Sequence, residues 1–234
     1  MEEASTPEET RLSALLWLDE AETYAQALKR AGFGASLDVQ LLRSDQQPSD
    51  AQLARTDILL ARVAPPGLLA SMPKLRWIQA LTAGVEHWVS RPDLNPGIAL
   101  SCARGTHRVQ MPENILGALF HLTKPYAQAT LDQRDRRWVR RFSEPLAGKT
   151  LGILGLGEIG RELAKKASAL ELRVIGTRRA ADPVAQVEKI YPPEATDEVL
   201  SQSDFVLLLL PLTPLTEGLM NAARFKAMRS NAYL

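Results

Sequence analysis

The chain has 234 residues but only one cysteine, three histidines and 6% aromatic residues. One cysteine, Cys102, excludes an internal disulfide framework and suits a reducing compartment. It lies in the apolar run IALSCA and reads as core rather than as a nucleophile. Neither sign of charge is in excess: 28 Lys and Arg face 27 Asp and Glu. No overall field draws polyanions, so nucleic acid and acidic membrane are not expected partners. Long apolar runs are also missing. The longest, FVLLLLPL, is too short to span a bilayer and is broken by Pro211. The opening MEEASTPEET is acidic and polar, the reverse of a signal peptide's order. A soluble, cytoplasmic protein is expected, with no metal site. The one local charge run, RDRRWVRR at Arg134 to Arg141, reads as a solvated helix end with Trp138 packed inward.

Short apolar runs alternate with helix-like segments throughout, the signature of parallel sheets covered by helices. The first half predicts strands over Leu12 to Leu18, Leu37 to Leu42, Asp57 to Ala61, Arg76 to Leu81 and Ile98 to Cys102, with a helix over Glu20 to Ala31. SDQQPSD, APPG and RPDLNPG read as turns. After Gly105 a long helical stretch, VQMPENILGALFHLTKPYAQATLDQ, lacks strand-like alternation and marks the crossing into a second domain. The alternation then restarts. Strands are expected at Thr150 to Leu154, Arg173 to Gly176, Val187 to Ile190 and Phe205 to Leu210. Helices are expected at Ile159 to Leu170, Thr196 to Ser201 and Ala222 to Met228. The expected fold class is α/β, with two doubly wound parallel-sheet domains over residues 1–104 and 105–234.

TLGILGLGEIGREL carries the most specific chemistry. Gly155, Gly157 and Gly160 follow an apolar strand directly and open a helix, the context a dinucleotide-binding turn requires. Gly155 permits the tight turn, Gly157 lets backbone approach a pyrophosphate, and Gly160 allows close helix packing. The amides of Glu158 and Ile159 would point at the phosphates, aided by the helix dipole. A carboxylate at the end of the next strand would bind a ribose 2′-hydroxyl. Instead Arg178 stands eighteen residues beyond Gly160, followed by Arg179 and preceded by Thr177. Two guanidinium forks suit a 2′-phosphate, so NADP(H) is expected over NAD(H), which stays possible. The other reading is a pair of exposed loop arginines.

Four stretches carry a resemblance to a known family: LRWIQALTAGVEHW, MPENILGALFHLTKP, LAGKTLGILGLGEIGRELAKKASALELRVIGTRR and SDFVLLLLPLTPLTEGLMNAARFKAMRSNAYL. From about Leu53 onward the chain resembles the D-isomer-specific 2-hydroxyacid dehydrogenases, of the glyoxylate/hydroxypyruvate reductase or phosphoglycerate dehydrogenase kind. The resemblance implies a flavodoxin-like substrate domain over residues 1–104 and a Rossmann nucleotide domain over 105–234. It implies reversible hydride transfer between nicotinamide and a small 2-keto or 2-hydroxy acid, and a homodimer joined near Pro112 to Lys124. Ala83, Gly84 and Val85 would form the substrate-carboxylate loop, its amides binding an anion without a buried cation; a plain strand-to-helix turn is the alternative. Leu156 would lie within the phosphate turn. Leu210, Pro211 and Thr213 would line the nicotinamide side, with Thr216 nearby, although Pro211 also reads as a strand stop. The family's catalytic Arg, Glu and His are expected beyond Leu234, so a truncated, inactive nucleotide domain is expected, and His87, His107 and His121 are not assigned as proton donors. The same fold resembles corepressors that sense NAD(H), which leaves a non-catalytic regulatory protein as the second reading.

Overall fold

The computed structural model describes residues 11–180 and 182–234. By internal contacts the chain divides into two compact units, one ending at Arg104 and the other starting at Gly105.

Unit 1 is built on five parallel strands, β1 (Leu12–Trp17), β2 (Leu37–Leu42), β3 (Ile58–Ala61), β4 (Trp77–Ala80) and β5 (Ala99–Cys102). Their order is β2-β1-β3-β4-β5, the flavodoxin-like arrangement. Helices α1 (Ala21–Arg30), α2 (Asp50–Arg55) and α3 (Glu86–Val89) join them. Both faces of the sheet are covered at β1, β2 and β3, where alternate residues enter different cores. Leu15, Leu59 and Ile78 join Leu53 of α2 and Trp88 of α3 on one side. Ala14, Leu16 and Ile58 join Ala21 and Leu28 of α1 on the other. Burial on both faces is why β1 and β3 read as nearly continuous apolar runs.

The sequence reading missed α2 by treating SDQQPSD as a turn. Ser49 and Gln52 form a capping box: the Gln52 amide donates to Ser49 Oγ (3.3 Å) and the Ser49 amide to Gln52 Oε1 (2.9 Å).

Unit 2 opens with α4 (Gln110–Thr123) and α5 (Tyr126–Arg134), both within the stretch read as helical. Pro125 separates the two, since a residue preceding proline is driven out of helical space, and Lys124 sits at φ −115°, ψ 143°. The sheet follows with β6 (Thr150–Leu154), β7 (Arg173–Thr177), β8 (Lys189–Tyr191) and β9 (Phe205–Leu208), all parallel in the order β8-β7-β6-β9. Helix α6 (Glu158–Ser168) covers one face with α4, through Leu163, Ala167 and Leu119 against Leu151, Ile153 and Phe205. Helix α7 (Thr196–Gln202) covers the other through Val199 and Leu200 against Leu154, Ile175 and Val206. Helix α8 (Ala222–Ala227) follows. On the far side of β9, Tyr233 pairs with Phe205 and stacks on its ring at 5.7 Å. The last apolar residues of FVLLLLPL leave the sheet: β9 stops at Leu208, two residues short of the expected end.

The charge run also departs from expectation. Helix α5 stops at Arg134, and Trp138 is 99% exposed rather than packed inward. The buried residue is Asp132, whose Oδ2 accepts from Arg141 Nε (2.9 Å) and Nη2 (2.6 Å) while Oδ1 accepts from Arg137 (3.1 Å). Both flanking arginines contact Asp132, while Trp138 between them faces solvent. The Arg141 contact holds the Asp132 carboxyl below the usual carboxylate range.

Candidate functional site

The glycine turn follows β6 and joins it to α6. Gly155 has φ +109°, a conformation only glycine adopts freely, and a Cβ there would lie 2.8 Å from Leu209 O. At Gly160 a Cβ would lie 2.6 Å from Gly155 O, so α6 could not pack as it does. Gly157 differs from both. It is exposed and has nothing within 4 Å of a would-be Cβ, which leaves room for a bulky group at the start of α6. It caps α6 without a side-chain hydrogen bond, so it offers the first-turn amides no acceptor of its own. Leu156 is buried, and its amide donates to Thr177 O (3.0 Å), as does Gly155 (3.3 Å). Glu158 pairs with Arg161 and sits at the positive end of α6, where an acid is favoured. Ile159 is half-buried.

Two further segments meet this turn at the carboxyl ends of the strands. Thr177 ends β7 and is 3% exposed, its carbonyl serving as the turn's anchor. Next to it, Arg178 donates its amide to Tyr191 O (3.0 Å) and its guanidinium to Asp182 O (3.4 Å). Arg179 is exposed and has no partner among the described residues. After β9, the Leu209 amide donates to Leu154 O (2.9 Å), and Leu210 lies against Gly155. The PLTPLT loop is tied by one hydroxyl. Thr216 Oγ1 donates to Pro211 O (2.6 Å), accepts from the Thr213 amide (2.8 Å) and lies 3.0 Å from Thr213 Oγ1. Together Gly155–Gly160, Thr177–Arg179 and Leu210–Thr216 flank the point where chain order reverses between β6 and β9, the usual ligand position in an open α/β sheet. The open face at Gly157, with guanidinium groups beyond β7, fits a dinucleotide.

In unit 1, Ala83, Gly84 and Val85 join β4 to α3. Thr82 Oγ1 donates to Gly84 O (2.6 Å), and Thr82 O accepts from the Ala103 amide (3.0 Å). Val85 O accepts from Trp88 (2.9 Å) and Val89 (3.0 Å). A residue the sequence reading passed over, Glu86, folds its carboxylate against Gly84, where a Cβ would collide with it. Its sign was an acid two residues from the glycine. Asp182 and Leu209 were missed as well, and only the fold brings them into contact with Arg178 and Gly155. His87, His107 and His121 are all exposed. A hollow of about 430 Å³ opens at the opposite, amino ends of the unit 1 strands beside Asp57, Arg76 and Trp77. There Asp57 Oδ2 already accepts the Ser13 amide (2.9 Å). Among the described residues no group of three or more His, Cys, Asp or Glu could hold a metal, and no helix is long and apolar enough to cross a membrane.

Two doubly wound parallel sheets, one carrying a glycine turn at its switch point, define a Rossmann-type α/β protein. The family described as "D-isomer specific 2-hydroxyacid dehydrogenase, NAD binding domain" matches residues 116–234. This chain belongs to the D-isomer specific 2-hydroxyacid dehydrogenase family. It is 31% identical over 186 residues to an erythronate-4-phosphate dehydrogenase of Pseudoalteromonas translucida, covering 76% of this chain and 44% of that one. The structure of a family protein from Aeromonas salmonicida superposes with a TM-score of 0.83 at 28% identity, covering 95% of this chain and 71% of that one. An NADPH-dependent glyoxylate/hydroxypyruvate reductase of Sinorhizobium meliloti, in complex with NADP and sulfate, superposes at 0.76 and 25%, covering 94% and 69%. The chain spans about half the length of the curated relatives it matches.

Proposed function

We propose that the protein is an NAD(P)-dependent oxidoreductase that acts on a small 2-keto or 2-hydroxy acid of the D series. The bound nicotinamide would supply or accept the hydride at the acid's C2. The chain's own residues bind and orient. First-turn amides at Glu158 and Ile159 receive the diphosphate beside Gly157, with Gly155 and Gly160 holding the turn and Leu156 locking it to β7. Arg178 and Arg179, with Thr177, receive a 2′-phosphate, so NADP(H) is preferred and NAD(H) is the weaker ligand. Leu210, Pro211, Thr213 and Thr216 border the nicotinamide. Amides of Ala83, Gly84 and Val85 hold the acid's carboxylate.

The observation that carries this reading is the uncovered Gly157 between two glycines that backbone contacts require. The NADPH-dependent reductase among the similar structures supports the coenzyme preference. The relatives whose names state an activity are dehydrogenases or reductases, which favours catalysis over a corepressor-like role. A cytoplasmic homodimer completes the proposal; exposed Leu122, Tyr126, Trp138 and Phe142 on and after α4 and α5 support a partner surface there. Titration calorimetry with NADPH and NADH tests the coenzyme reading. Tighter binding of NADPH supports it; equal or reversed affinities would remove the arginine assignment.

A further inference from the structure

We infer that Thr213 meets the coenzyme as a hydrogen-bond acceptor only, and that the group it takes is the carboxamide NH2 of the nicotinamide. The inference rests on the proposal that the Leu210–Thr216 loop borders that ring. A count of hydroxyl hydrogens carries it, because a threonine side chain has one hydrogen to donate and two lone pairs with which to accept. Thr216 Oγ1 lies 2.6 Å from Pro211 O, and a carbonyl only accepts, so Thr216 spends its hydrogen there. The Thr213 carbonyl, at 3.3 Å, competes for the same hydrogen and adds none. Thr216 Oγ1 also accepts from the Thr213 amide at 2.8 Å. Across the 3.0 Å between the two hydroxyl oxygens, the hydrogen therefore comes from Thr213. That leaves Thr216 Oγ1 with its hydrogen and both lone pairs in use. Thr213 Oγ1 has given away its only hydrogen and keeps its lone pairs, with no further partner among the described residues. Thr213 is half-buried, so a ligand reaches it. The hydrogen for its next bond has to be the ligand's. On nicotinamide the carboxamide NH2 supplies one, whereas the carboxamide oxygen would set lone pairs against lone pairs. Thr213 thus decides which end of the carboxamide turns toward the loop.

Titration calorimetry of the full chain tests this with NADP+ and its acetylpyridine analogue, in which a methyl group replaces the carboxamide NH2 and the carbonyl stays. Wild type should prefer NADP+ by about fivefold, the worth of one hydrogen bond. Thr213→Val keeps the side chain's shape and removes the acceptor. It should bind NADP+ about fivefold more weakly, with the analogue unchanged, so that the preference disappears; a loop that had merely lost its packing would weaken both ligands alike. Thr213→Ser keeps the acceptor and should keep the preference. If wild type binds both ligands equally, if Thr213→Val retains the preference or weakens both ligands by the same factor, or if Thr213→Ser loses the preference, the inference is overturned while the coenzyme reading stands. If wild type takes up neither NADP+ nor NADPH at millimolar concentration, the coenzyme reading itself fails and takes the inference with it.

Discussion

The glycine loops of the two units differ in what demands the glycine. Both follow the carboxyl end of a parallel strand and lead into a helix. In unit 2 a Cβ at Gly160 would meet Gly155 O, and one at Gly155 would meet Leu209 O, so backbone on two neighbouring segments fixes the turn. In unit 1 the three atoms nearest a Cβ at Gly84 would all belong to the end of the Glu86 side chain. The first loop is a rigid mould, suited to a part common to many coenzymes. In the second, a side chain rather than backbone occupies the space beside the glycine.

Substitution of the two glycines breaks or upholds this contrast most strongly. Gly160→Ala should cost about 1–3 kcal/mol, as for overpacking against atoms that cannot yield, read as a lower urea midpoint at unchanged slope. Gly84→Ala should cost less, because the nearest atoms are the end of a side chain rather than backbone. Equal costs would remove the distinction between the two loops.

Coenzyme preference sharpens the unit 2 side. Arg179 has no protein partner among the described residues, so Arg179→Ala should leave stability unchanged while weakening NADPH by about tenfold, the loss of one charge-assisted contact. NADH affinity should move little. Arg178→Ala should weaken NADPH similarly and also free Asp182.

Unit 1 has its own acid-sensitive clamp. Arg91, 9% exposed, donates to both oxygens of Asp93, and the Leu69 amide donates to Oδ2 at 3.1 Å. The Arg91 hydrogen bond holds the Asp93 carboxyl below its ordinary value. A depressed folded pKa contributes stability above the unfolded value, about 3.9 for Asp, and that contribution is lost as pH falls through the folded value. Asp93→Asn should therefore be less stable than wild type near neutrality, and the gap should close below about pH 4. A gap that persists in stronger acid would show that the clamp acts by shape alone.

Trp138→Ala should have the smallest effect on folding, less than about 0.5 kcal/mol, because the indole is almost wholly exposed. Sedimentation should show a shift toward monomer if the surface after α5 joins two copies. An unchanged dimer would place the interface elsewhere.

The elements most legible in sequence are short apolar runs bounded by turn residues, whether central and fully buried like Thr150 to Leu154 or at the sheet edge like Leu37 to Leu42. Leu37 to Leu42 and Thr150 to Leu154 were read to the residue, and the glycine turn was located with the strand and helix it joins. Side-chain chemistry that overrides hydrophobic pattern was harder to read. Pro125 splits a helix whose composition is helical on both sides, and Ser49 with Gln52 starts a helix inside a polar run. Asp132 pairs with both flanking arginines while Trp138 faces solvent, an arrangement that depends on a charge's burial and not on its sequence. Glu86 stands two residues from Gly84, but whether its carboxylate folds back onto the glycine is set by its side-chain rotamer, which spacing does not fix.

The central claim is that the open turn at Gly157 receives a coenzyme diphosphate, and Gly157→Ala tests it directly. A methyl group there meets nothing in the protein within 4 Å, so the thermal midpoint should match wild type. NADPH titrated into the wild-type chain should bind, and into the variant should bind at least tenfold more weakly, about 1.4 kcal/mol. Wild-type protein that takes up neither NADPH nor NADH at millimolar concentration, or a variant that binds NADPH as well as wild type, would contradict the account.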